Sequence, residues 1–361
     1  MKIMMITNDT NFAYNLRREI LYRFVEEGHN VYLVGQVLNF LKEFSDKGIE
    51  VIDVQTERRG TNPLNDLKLY KTYKTILKDI KPDIVFTNNI KPNVYAGKAC
   101  QELGIKYIPN ITGLGTPVEK PGKLQKLTIQ MYKKGVAGAA TIFFQNRENL
   151  EFFKSHGMLN EKSKVVMLPG SGVNLETHPY MEYPDNGDIN FLFVARIMKE
   201  KGIDIFLEVA KRIKATRDDV SFHICGMCDD ENYLKILKDY ENQGYIIYHG
   251  LQKDINPFYE KCSCFLYPSY YPEGMSNVLL EAAACGRPII AVDRAGCRET
   301  VEDGISGYVV KKNDMNDILK VTKQFLSLSY EDKKNMGLNG RKKMQKEFNR
   351  KIVTDAYIAE L

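Results

Sequence analysis

Two patterns of hydrophobic and polar positions alternate along the first half of the chain. Between short apolar runs lie longer segments with apolar positions three or four residues apart, which predict helices that end at Gly28 and before Pro82. The short apolar runs predict strands, namely KIMMIT, HNVYLVG, GIEVIDVQ, DIVFTNN, KYIPNI and TIFFQN. Strands that alternate with helices in this way favour a parallel, doubly wound sheet.

The pattern restarts after residues 164–189, a stretch rich in Pro, Gly and Asn that we interpret as a linker. Beyond it the apolar runs NFLFVARI, VSFHICG, YIIYHG, CFLYPS and RPIIAV again predict strands. The chain is therefore expected to form two Rossmann-like parallel α/β domains, residues 1–174 and 175–344. Because open α/β sheets bind ligands at the carboxyl ends of their strands, we expect a ligand site in a cleft between facing domains.

The composition is that of a soluble globular protein, with 43% hydrophobic and 27% charged residues. No apolar run approaches the ~18 residues that span a bilayer. The start of the chain turns polar at Thr7, too early for a signal peptide, so we expect a cytoplasmic protein. Seven cysteines lie among apolar neighbours. CGMC and CSC could together suggest a four-thiolate site, but the second pair has the wrong spacing for zinc. We expect core cysteines.

The net charge of +5 is unevenly distributed, since residues 1–175 carry 25 Lys and Arg against 17 Asp and Glu. A basic first half is suited to an anionic partner, such as a phosphate-bearing acceptor or lipid head groups. An ordinary solvated surface explains the excess equally well. We expect no nucleic-acid partner.

Two nucleotide-binding motifs are missing from the sequence. We expect a loop after the first predicted strand. This loop, TNDTNFAYN, has no glycine, so the Gly-x-Gly-x-x-Gly fingerprint of dinucleotide-binding domains is absent. A phosphate-binding loop of the Gly-Lys-Ser/Thr type is also absent. The sequence therefore argues against a dehydrogenase and against a P-loop nucleotidase.

The second half carries a specific set of motifs. The stretch PEGMSNVLLEAAACGRPIIAVDRAGCRETVEDGISGYVV resembles the signature of retaining GT-B glycosyltransferases of family GT4, and VARIMKEKGID resembles their Arg-x4-Lys-Gly segment. The matching positions are Arg196, Lys201, Gly202, Glu273, Glu281, Gly286, Pro288, Gly296, Glu299, Asp303, Gly304 and Gly307. This resemblance implies the GT-B fold, in which the last helix, here about 345–361, crosses back to the first domain.

The first half resembles the acceptor-side segment of bacterial members that build capsule, O-antigen or other lipid-linked glycans. The stretch ITGLGT carries this likeness, and we expect Asn11, Thr112, Gly113 and Gly115 on the acceptor side. Many members have a histidine where this chain has Thr112. None of the five histidines fills that position, so we assign no catalytic histidine.

The resemblance implies a role for each donor-side residue. Glu281 is expected to hold the ribose hydroxyls of a nucleotide-sugar, and Glu273 the hydroxyls of the transferred sugar, because ionised carboxylates accept bonds from hydroxyls. Arg196 and Lys201 are expected to offset charge on the diphosphate as the sugar–phosphate bond breaks. We place two further groups at the donor: the helix amino terminus Gly274, Met275, Ser276 and Asn277 at the phosphates, and Gly250 and Leu251 at the base.

No two aspartates lie two positions apart, so the Asp-x-Asp metal motif is missing. We therefore expect no cofactor and no obligatory divalent metal. The resemblance implies retention of anomeric configuration, with the leaving diphosphate acting as the base toward the acceptor hydroxyl. The expected donor is a UDP-sugar, carrying a hexose or an N-acetylhexosamine, and the expected acceptor is an undecaprenyl-diphosphate-linked glycan.

The stretch EKPGKLQKLTIQMYKKG predicts a basic amphipathic helix. Its apolar positions form one stripe, and lysines flank it: Leu124, Leu127 and Met131, with Lys123, Lys126, Lys133 and Lys134. Such a helix suits the anionic inner face of a membrane, which predicts peripheral association. The alternative is a helix that packs the stripe on the core and leaves its lysines in water.

Three other functions share some of these features. A glycosidase would need two carboxylates flanking one bond, yet one of the two glutamates is assigned to ribose. A UDP-sugar 2-epimerase has the same two-domain architecture and needs no acceptor. A non-catalytic sugar-binding protein would ordinarily be secreted, and no signal peptide is apparent.

Overall fold

The computed structural model describes residues 1–55, 62–185 and 187–361. These residues form two compact units. The first unit comprises Met1–Ser171, Pro272–Met275 and Lys351–Leu361, and the second comprises Gly172–Tyr271 and Ser276–Arg350. The segment that carries Glu273 thus belongs to the first unit, although its neighbours on both sides along the chain belong to the second.

The first unit is built on a sheet of seven parallel strands in the order β3-β2-β1-β4-β5-β6-β7. Central strands are buried on both faces, as expected for a parallel sheet covered by helices. The strands are β1 (Lys2–Asp9), β2 (Asn30–Gln36), β3 (Glu50–Asp53), β4 (Ile84–Asn88), β5 (Lys106–Ile111), β6 (Thr141–Phe144) and β7 (Lys164–Met167).

Helices cover both faces of this sheet. The first six are α1 (Thr10–Glu26), α2 (Leu41–Ser45), α3 (Pro63–Ile80), α4 (Gly97–Leu103), α5 (Lys123–Val136) and α6 (Arg147–Ser155), and a π-helical turn, Pro92–Ala96, precedes α4. Helices α3 to α6 pack on one face, through residues such as Tyr73, Tyr132 and Phe153. Helices α1 and α2 pack on the other.

The second unit contains a sheet of six parallel strands in the order β10-β9-β8-β11-β12-β13. Its strands are β8 (Ile189–Val194), β9 (Val220–Cys225), β10 (Ile247–Tyr248), β11 (Cys264–Tyr267), β12 (Ile289–Val292) and β13 (Gly307–Val310). Its helices are α7 (Ile203–Lys214), α8 (Glu231–Asn242), α9 (Asn256–Lys261), α10 (Asn277–Ala284), α11 (Met315–Ser327) and α12 (Tyr330–Glu347).

The last helix, α13 (Arg350–Ile358), contributes to the core of the first unit. Its residues Val353 and Tyr357 are fully buried and join the core on the α1 face. The ring of Tyr357 contacts Phe86 and Phe143, with centroids 4.9 Å from each, and its hydroxyl accepts a hydrogen bond from Asn110 at 2.8 Å.

The predicted fold class is confirmed by these two parallel α/β sheets. Two local expectations were wrong. Residues 164–167 were assigned to the linker, but they form the edge strand β7, which is four residues long and largely exposed. The segment after the first strand was expected to be a loop, but α1 begins directly at Thr10, because the Asp9 side chain caps it by accepting from the Phe12 N–H.

Candidate functional site

Two cations follow β8 at the carboxyl end of that strand. Lys201 ends a short 3-10 helix, where its Nζ donates to the Tyr267 hydroxyl at 3.0 Å and lies 4.9 Å from the Tyr271 ring centroid. Arg196 lies two residues beyond the strand, and its side chain is exposed. Lys201 is held between aromatic rings, whereas Arg196 faces solvent.

The amino-terminal end of α10 presents polar groups without protein partners. Ser276 occupies the cap position at 0% exposure, but its hydroxyl caps none of the first-turn N–H groups. Across the part of the chain that the structure describes, neither Ser276 Oγ nor Asn277 Oδ1 has a hydrogen-bond partner. The first N–H groups of a helix lack intrahelical partners, and the helix dipole favours anions there. This end of α10 is therefore suited to a phosphate.

Glu281 lies one turn into α10 and is half-buried. The fully buried Tyr259 of α9 donates its hydroxyl proton toward Glu281 Oε2 at 3.1 Å, with the Val278 carbonyl oxygen at 3.3 Å. Burial raises the pKa of the Glu281 carboxyl above its ordinary value, and nearby His178 and the bond from Tyr259 lower it in part. The carboxylate is thus fixed by a neighbouring hydroxyl and kept partly from water.

The linker residue His178 completes the surroundings of Glu281. Its Nδ1 lies 3.0 Å from Asn256 Oδ1, and its ring meets the Tyr259 ring edge-on at 6.3 Å between centroids. Arg341 of α12 donates to the carbonyl oxygens of His178 and Ala284, each at 2.8 Å. The linker is therefore tied to α9, to the end of α10 and to α12 around this carboxyl group.

The main chain at Glu273 and Gly274 is held by groups of the first unit. Asn146 Nδ2 donates to the carbonyl oxygen of Gly274 at 2.6 Å and to that of Glu273 at 3.1 Å. The Gly274 N–H donates to the Thr112 carbonyl oxygen at 3.0 Å. A Cβ on Gly274 would overlap that carbonyl and the side chain of Gln145, so only glycine fits here.

The predicted acceptor-side residues separate into two places. Thr112 and Gly113 form the turn that meets Gly274, and Gly113 and Gly115 both have positive φ, at 135° and 70°. Asn11 lies in the first turn of α1, where its Oδ1 accepts from Asn39 Nδ2 at 3.1 Å. In the described part of the chain no hydrogen bond joins Asn11 to the 112–115 turn. The Thr112–Gly113 turn therefore contacts the Glu273–Gly274 segment.

Gly250 and Leu251, the predicted base-contacting pair, follow β10. Gly250 has φ 66°, its carbonyl oxygen accepts from the Gly226 N–H at 2.8 Å, and Leu251 is 70% exposed. Just before them, His249 Nε2 lies 3.0 Å from His223 Nδ1, and burial lowers the pKa of His223 to about 4. Both imidazoles are therefore neutral at neutral pH, since the pKa of His249 is also lowered by burial.

Two acidic residues of the recognised pattern have structural roles. Glu299 Oε2 accepts from the Gly296 N–H at 2.7 Å and closes the turn that follows β12. Asp303 Oδ1 accepts from the Val309 N–H at 2.9 Å and pins the turn before β13. These carboxylates hold the loops of the second sheet.

Helix α5 packs only one residue of the predicted stripe, Met131, against the core. Its buried residues are Thr128, Ile129, Tyr132, Gly135 and Val136. Leu124 and Leu127 are 51% and 55% exposed, and Met131 is half-buried against the core. Lys123, Lys126 and Lys134 are exposed and Lys133 is half-buried. The first two turns of α5 therefore display leucines and lysines together at the surface.

The described residues contain neither a metal-binding cluster of side chains nor a membrane-spanning helix. Within residues 1–55, 62–185 and 187–361, no group of three or more His, Cys, Asp or Glu side chains is placed to hold a metal ion. In the same ranges no helix combines the length and apolar character needed to cross a membrane. Six of the seven cysteines are buried, and all seven are free thiols.

Sequence reasoning missed Tyr259, His178 and Asn146. Tyr259 and His178 lie 22 and 103 positions before Glu281, and Asn146 lies 127 positions before Glu273, so no local pattern joins them to the glutamates. One signal was available for Asn146. An asparagine directly before the helical stretch RENLEFF is a typical cap, and its Oδ1 does cap α6, by accepting from the Asn149 N–H at 2.8 Å.

Two protein-family models match the chain. Residues 3–146 match the glycosyl transferase 4-like model, and residues 182–343 match the glycosyl transferases group 1 model. Together they account for most of both units, and the second match contains all the donor-side residues described above.

Curated relatives align along nearly the whole chain. One is N,N'-diacetylbacillosaminyl-diphospho-undecaprenol alpha-1,3-N-acetylgalactosaminyltransferase of Campylobacter jejuni, 26% identical over 351 residues, which cover 92% of this chain and 90% of the relative. Another is the capsular polysaccharide biosynthesis glycosyltransferase CapM of Staphylococcus aureus, 23% identical over 94% of this chain and 95% of the relative.

Solved structures share the fold over full length. Anabaena Alr3699/HepE in complex with UDP and glucose aligns with a TM-score of 0.79 at 15% identity, covering 100% of this chain and 98% of that one. A glycosyltransferase from Rickettsia africae aligns with a TM-score of 0.80 at 17% identity, covering 99% and 97%. Both halves of the chain match glycosyltransferase family models, and the solved structures share its two-sheet GT-B fold over their full length. The chain therefore belongs to the group 1, GT4-like glycosyltransferases.

Proposed function

We propose that the protein transfers a sugar from a UDP-sugar to a lipid-linked glycan, with retention of anomeric configuration and without a divalent metal. The observation that carries the proposal is the amino-terminal end of α10. There the buried Ser276 hydroxyl has no partner among the described residues, and Glu281 follows one turn later with its carboxylate already oriented. A phosphate and a ribose are the neighbouring groups that such an arrangement would bind.

Each donor group has a proposed residue. The diphosphate lies against the first turn of α10 and is neutralised by Arg196 and Lys201, which replace a metal ion as the source of positive charge. Glu281 accepts from the ribose hydroxyls, and Glu273 accepts from hydroxyls of the transferred sugar. The exposed Arg196 can reorient toward a ligand, whereas Lys201 is held by Tyr267 and Tyr271.

Two proteins that resemble this chain support the proposed donor and the proposed acceptor. The HepE complex contains UDP and glucose, and the C. jejuni relative is named for N-acetylgalactosamine transfer to an undecaprenol-diphosphate-linked sugar. UDP is therefore the proposed nucleotide, N-acetylhexosamines are the first donor sugars to test, and a polyprenyl-diphosphate-linked sugar is the proposed acceptor. Capsule or related cell-surface polysaccharide synthesis is the corresponding process.

A direct test combines binding with product analysis. We expect UDP, but not GDP or ADP, to raise the thermal unfolding midpoint in the presence of EDTA, since a ligand at 100 times its dissociation constant adds about 2.7 kcal/mol. Incubation with a UDP-sugar and a polyprenyl-diphosphate-linked monosaccharide should yield an α-linked disaccharide. Isomerised UDP-sugar formed without acceptor would instead identify an epimerase, and an absolute requirement for metal would contradict the proposed cation roles.

The exposed start of α5 is the proposed contact with an anionic membrane. Leu124 and Leu127 can enter the interface between head groups and acyl chains, while Lys123 and Lys126 meet lipid phosphates. Flotation with vesicles containing phosphatidylglycerol measures this directly. The Leu124→Ser, Leu127→Ser double variant should lose vesicle binding, and the same substitution at the exposed Leu234 of α8 serves as the control. Equal binding by both proteins would contradict the membrane role of α5.

A further inference from the structure

Asn146 uses both ends of its side-chain amide. The carbonyl oxygen Oδ1 caps α6 by accepting from the Asn149 N–H at 2.8 Å. The amide nitrogen Nδ2 donates to two successive carbonyl oxygens, those of Gly274 at 2.6 Å and Glu273 at 3.1 Å. A side-chain amide has two N–H donors, so both carbonyl bonds can form together.

The same two residues are held from the opposite side by the turn after β5. The Gly274 N–H donates to the Thr112 carbonyl oxygen at 3.0 Å. Gly113 faces this contact, and a Cβ on it would lie 3.1 Å from the Gly274 nitrogen. The main chains of two glycine-containing turns therefore contact each other directly.

The contact excludes water, which makes its bonds specific. Asn146 is 3% exposed, and Gly274 and Gln145 beside it are buried. A buried carbonyl group that loses its donor cannot recover a bond from solvent and must move to find one. Donation by Asn146 therefore helps to hold the main chain of Glu273 and Gly274 in place.

We propose that Asn146 is a positioning residue for the transferred sugar: through its bonds to the carbonyls of Glu273 and Gly274, it sets where the Glu273 carboxylate meets the sugar hydroxyls. This inference rests on the proposed function, in which Glu273 contacts the sugar. The Thr112–Gly113 turn is then the second support of the same segment.

Two parts of the donor, the UDP moiety and the transferred sugar, should contribute differently to binding. UDP has the base, ribose and phosphates but no transferred sugar, so its binding depends on Glu281 and the start of α10. A UDP-sugar adds the hydroxyls that Glu273 accepts. Displacing the Glu273–Gly274 segment should therefore reduce the affinity for the UDP-sugar more than the affinity for UDP, an effect that loss of a helix cap alone does not produce.

Two substitutions keep the cap and remove the donors. Asn146→Asp retains an oxygen acceptor for the Asn149 N–H but points a carboxylate oxygen at the two carbonyls, and Asn146→Ser retains a shorter acceptor that cannot reach them. Asn62→Asp is the matched control, because Asn62 is an exposed cap whose oxygen accepts from the Leu64 N–H at 3.0 Å. Thermal unfolding of all three variants reports whether the fold and caps are retained.

The measurement is calorimetric titration of each protein with UDP and with UDP-N-acetylgalactosamine, UDP-N-acetylglucosamine and UDP-glucose. For the tightest UDP-sugar we expect the preference over UDP to fall about tenfold in both Asn146 variants, the loss typical of one hydrogen bond to a charged group. The Asn62→Asp protein should keep the wild-type preference.

An unchanged preference in both folded Asn146 variants would overturn the inference. Wild-type protein that binds UDP and the UDP-sugars equally would also overturn it, because Glu273 would then have no sugar to position. Wild-type protein that binds no nucleotide would instead contradict the proposed function itself, and the inference would fall with it. If the Asn146 variants lost affinity for UDP and for the UDP-sugar by the same factor, Asn146 would have a general structural role and the inference would be contradicted.

Discussion

The two glutamates of the signature lie eight positions apart in sequence but are held in different ways. Around Glu273 the contacts fix the main chain, through Asn146 and through the Gly274 bond to Thr112. Around Glu281 the contacts fix the side chain, through the Tyr259 hydroxyl. Burial also raises the pKa of Glu281. A single sequence motif therefore contains one glutamate with main-chain contacts to Asn146 and another whose carboxylate contacts a neighbouring hydroxyl.

The difference suits the two proposed ligands. Every UDP-sugar carries the same ribose, so a carboxylate held by Tyr259 can serve any of these donors. The transferred sugar varies between enzymes, and a carboxylate on a packed turn can be relocated when the residues beneath that turn change. On this view, residues such as Asn146 and Gln145 contribute to donor choice although they lie far from Glu273 in sequence.

The largest effect is expected from Gly274→Ala. The added methyl group would overlap the Thr112 carbonyl and the Gln145 side chain, so the turn must move. We expect a loss of about 1–3 kcal/mol in the free energy of unfolding and a loss of more than about 100-fold in transfer rate, as misplacement by about an ångström produces. Gly122→Ala is the control, because a Cβ there meets nothing within 4 Å. Equal activity of both variants would show that the turn tolerates displacement.

Glu281→Gln should weaken UDP binding by about 10- to 100-fold, since a charged hydrogen-bond acceptor contributes roughly 1.5–3 kcal/mol. The same substitution removes a buried carboxylate, so the free protein should be no less stable. Calorimetric titration and urea unfolding measure the two quantities. Loss of UDP affinity together with loss of stability would point to a structural role for Glu281.

Tyr259→Phe should have a smaller effect, because it removes only the hydroxyl that orients Glu281. We expect UDP affinity to fall about fivefold, equivalent to about 1 kcal/mol, with the KM for the donor rising more than kcat falls. Tyr183→Phe is matched, since its hydroxyl is also buried and donates to the Ser263 carbonyl oxygen at 3.1 Å. Unchanged UDP affinity in Tyr259→Phe would show that Glu281 needs no such support.

The smallest effect is a pH dependence of stability. The pKa of Glu281 is raised from its ordinary 4.5, so above that pH the folded protein binds more protons than the unfolded chain. The unfolding free energy of the wild type should therefore fall, relative to Glu281→Gln, as the pH rises from 4.5 through the folded-state pKa. Urea unfolding of both proteins between pH 4 and pH 7 measures this. A difference that grows in favour of the wild type would contradict the burial of this carboxyl group.

Local patterns were sufficient for much of the fold. Alternating apolar runs and helical periodicities predicted the strand and helix order, and the predicted start of a helix near Asn277 is confirmed by α10. The exceptions have physical reasons. Strand β7 has only four residues at the sheet edge and runs directly into the Pro- and Gly-rich stretch, so its short apolar run was interpreted as linker. Leu124 and Leu127 have helical spacing, but the core takes Ile129 and Tyr132 from the adjacent face of α5.

The candidate site could be predicted only in part. Motif spacing identified Glu273, Glu281 and the start of α10, because those residues lie close together along the chain. It could not identify Asn146 or Tyr259, whose contacts join distant segments through tertiary packing. Nor could it separate ligand-binding from structural carboxylates: Glu299 shares the motif, but its oxygen is bonded to the Gly296 N–H.

The most direct test of the account compares UDP with its tightest-binding UDP-sugar in three proteins: wild type, Glu273→Gln and Glu281→Gln, all with EDTA present. We predict that Glu281→Gln lowers the affinities for both ligands by the same factor. Glu273→Gln should leave the affinity for UDP unchanged and remove the preference for the UDP-sugar. If Glu273→Gln weakened UDP as strongly as Glu281→Gln does, or if neither substitution altered binding, the assignment of the two glutamates to two parts of one donor would be contradicted.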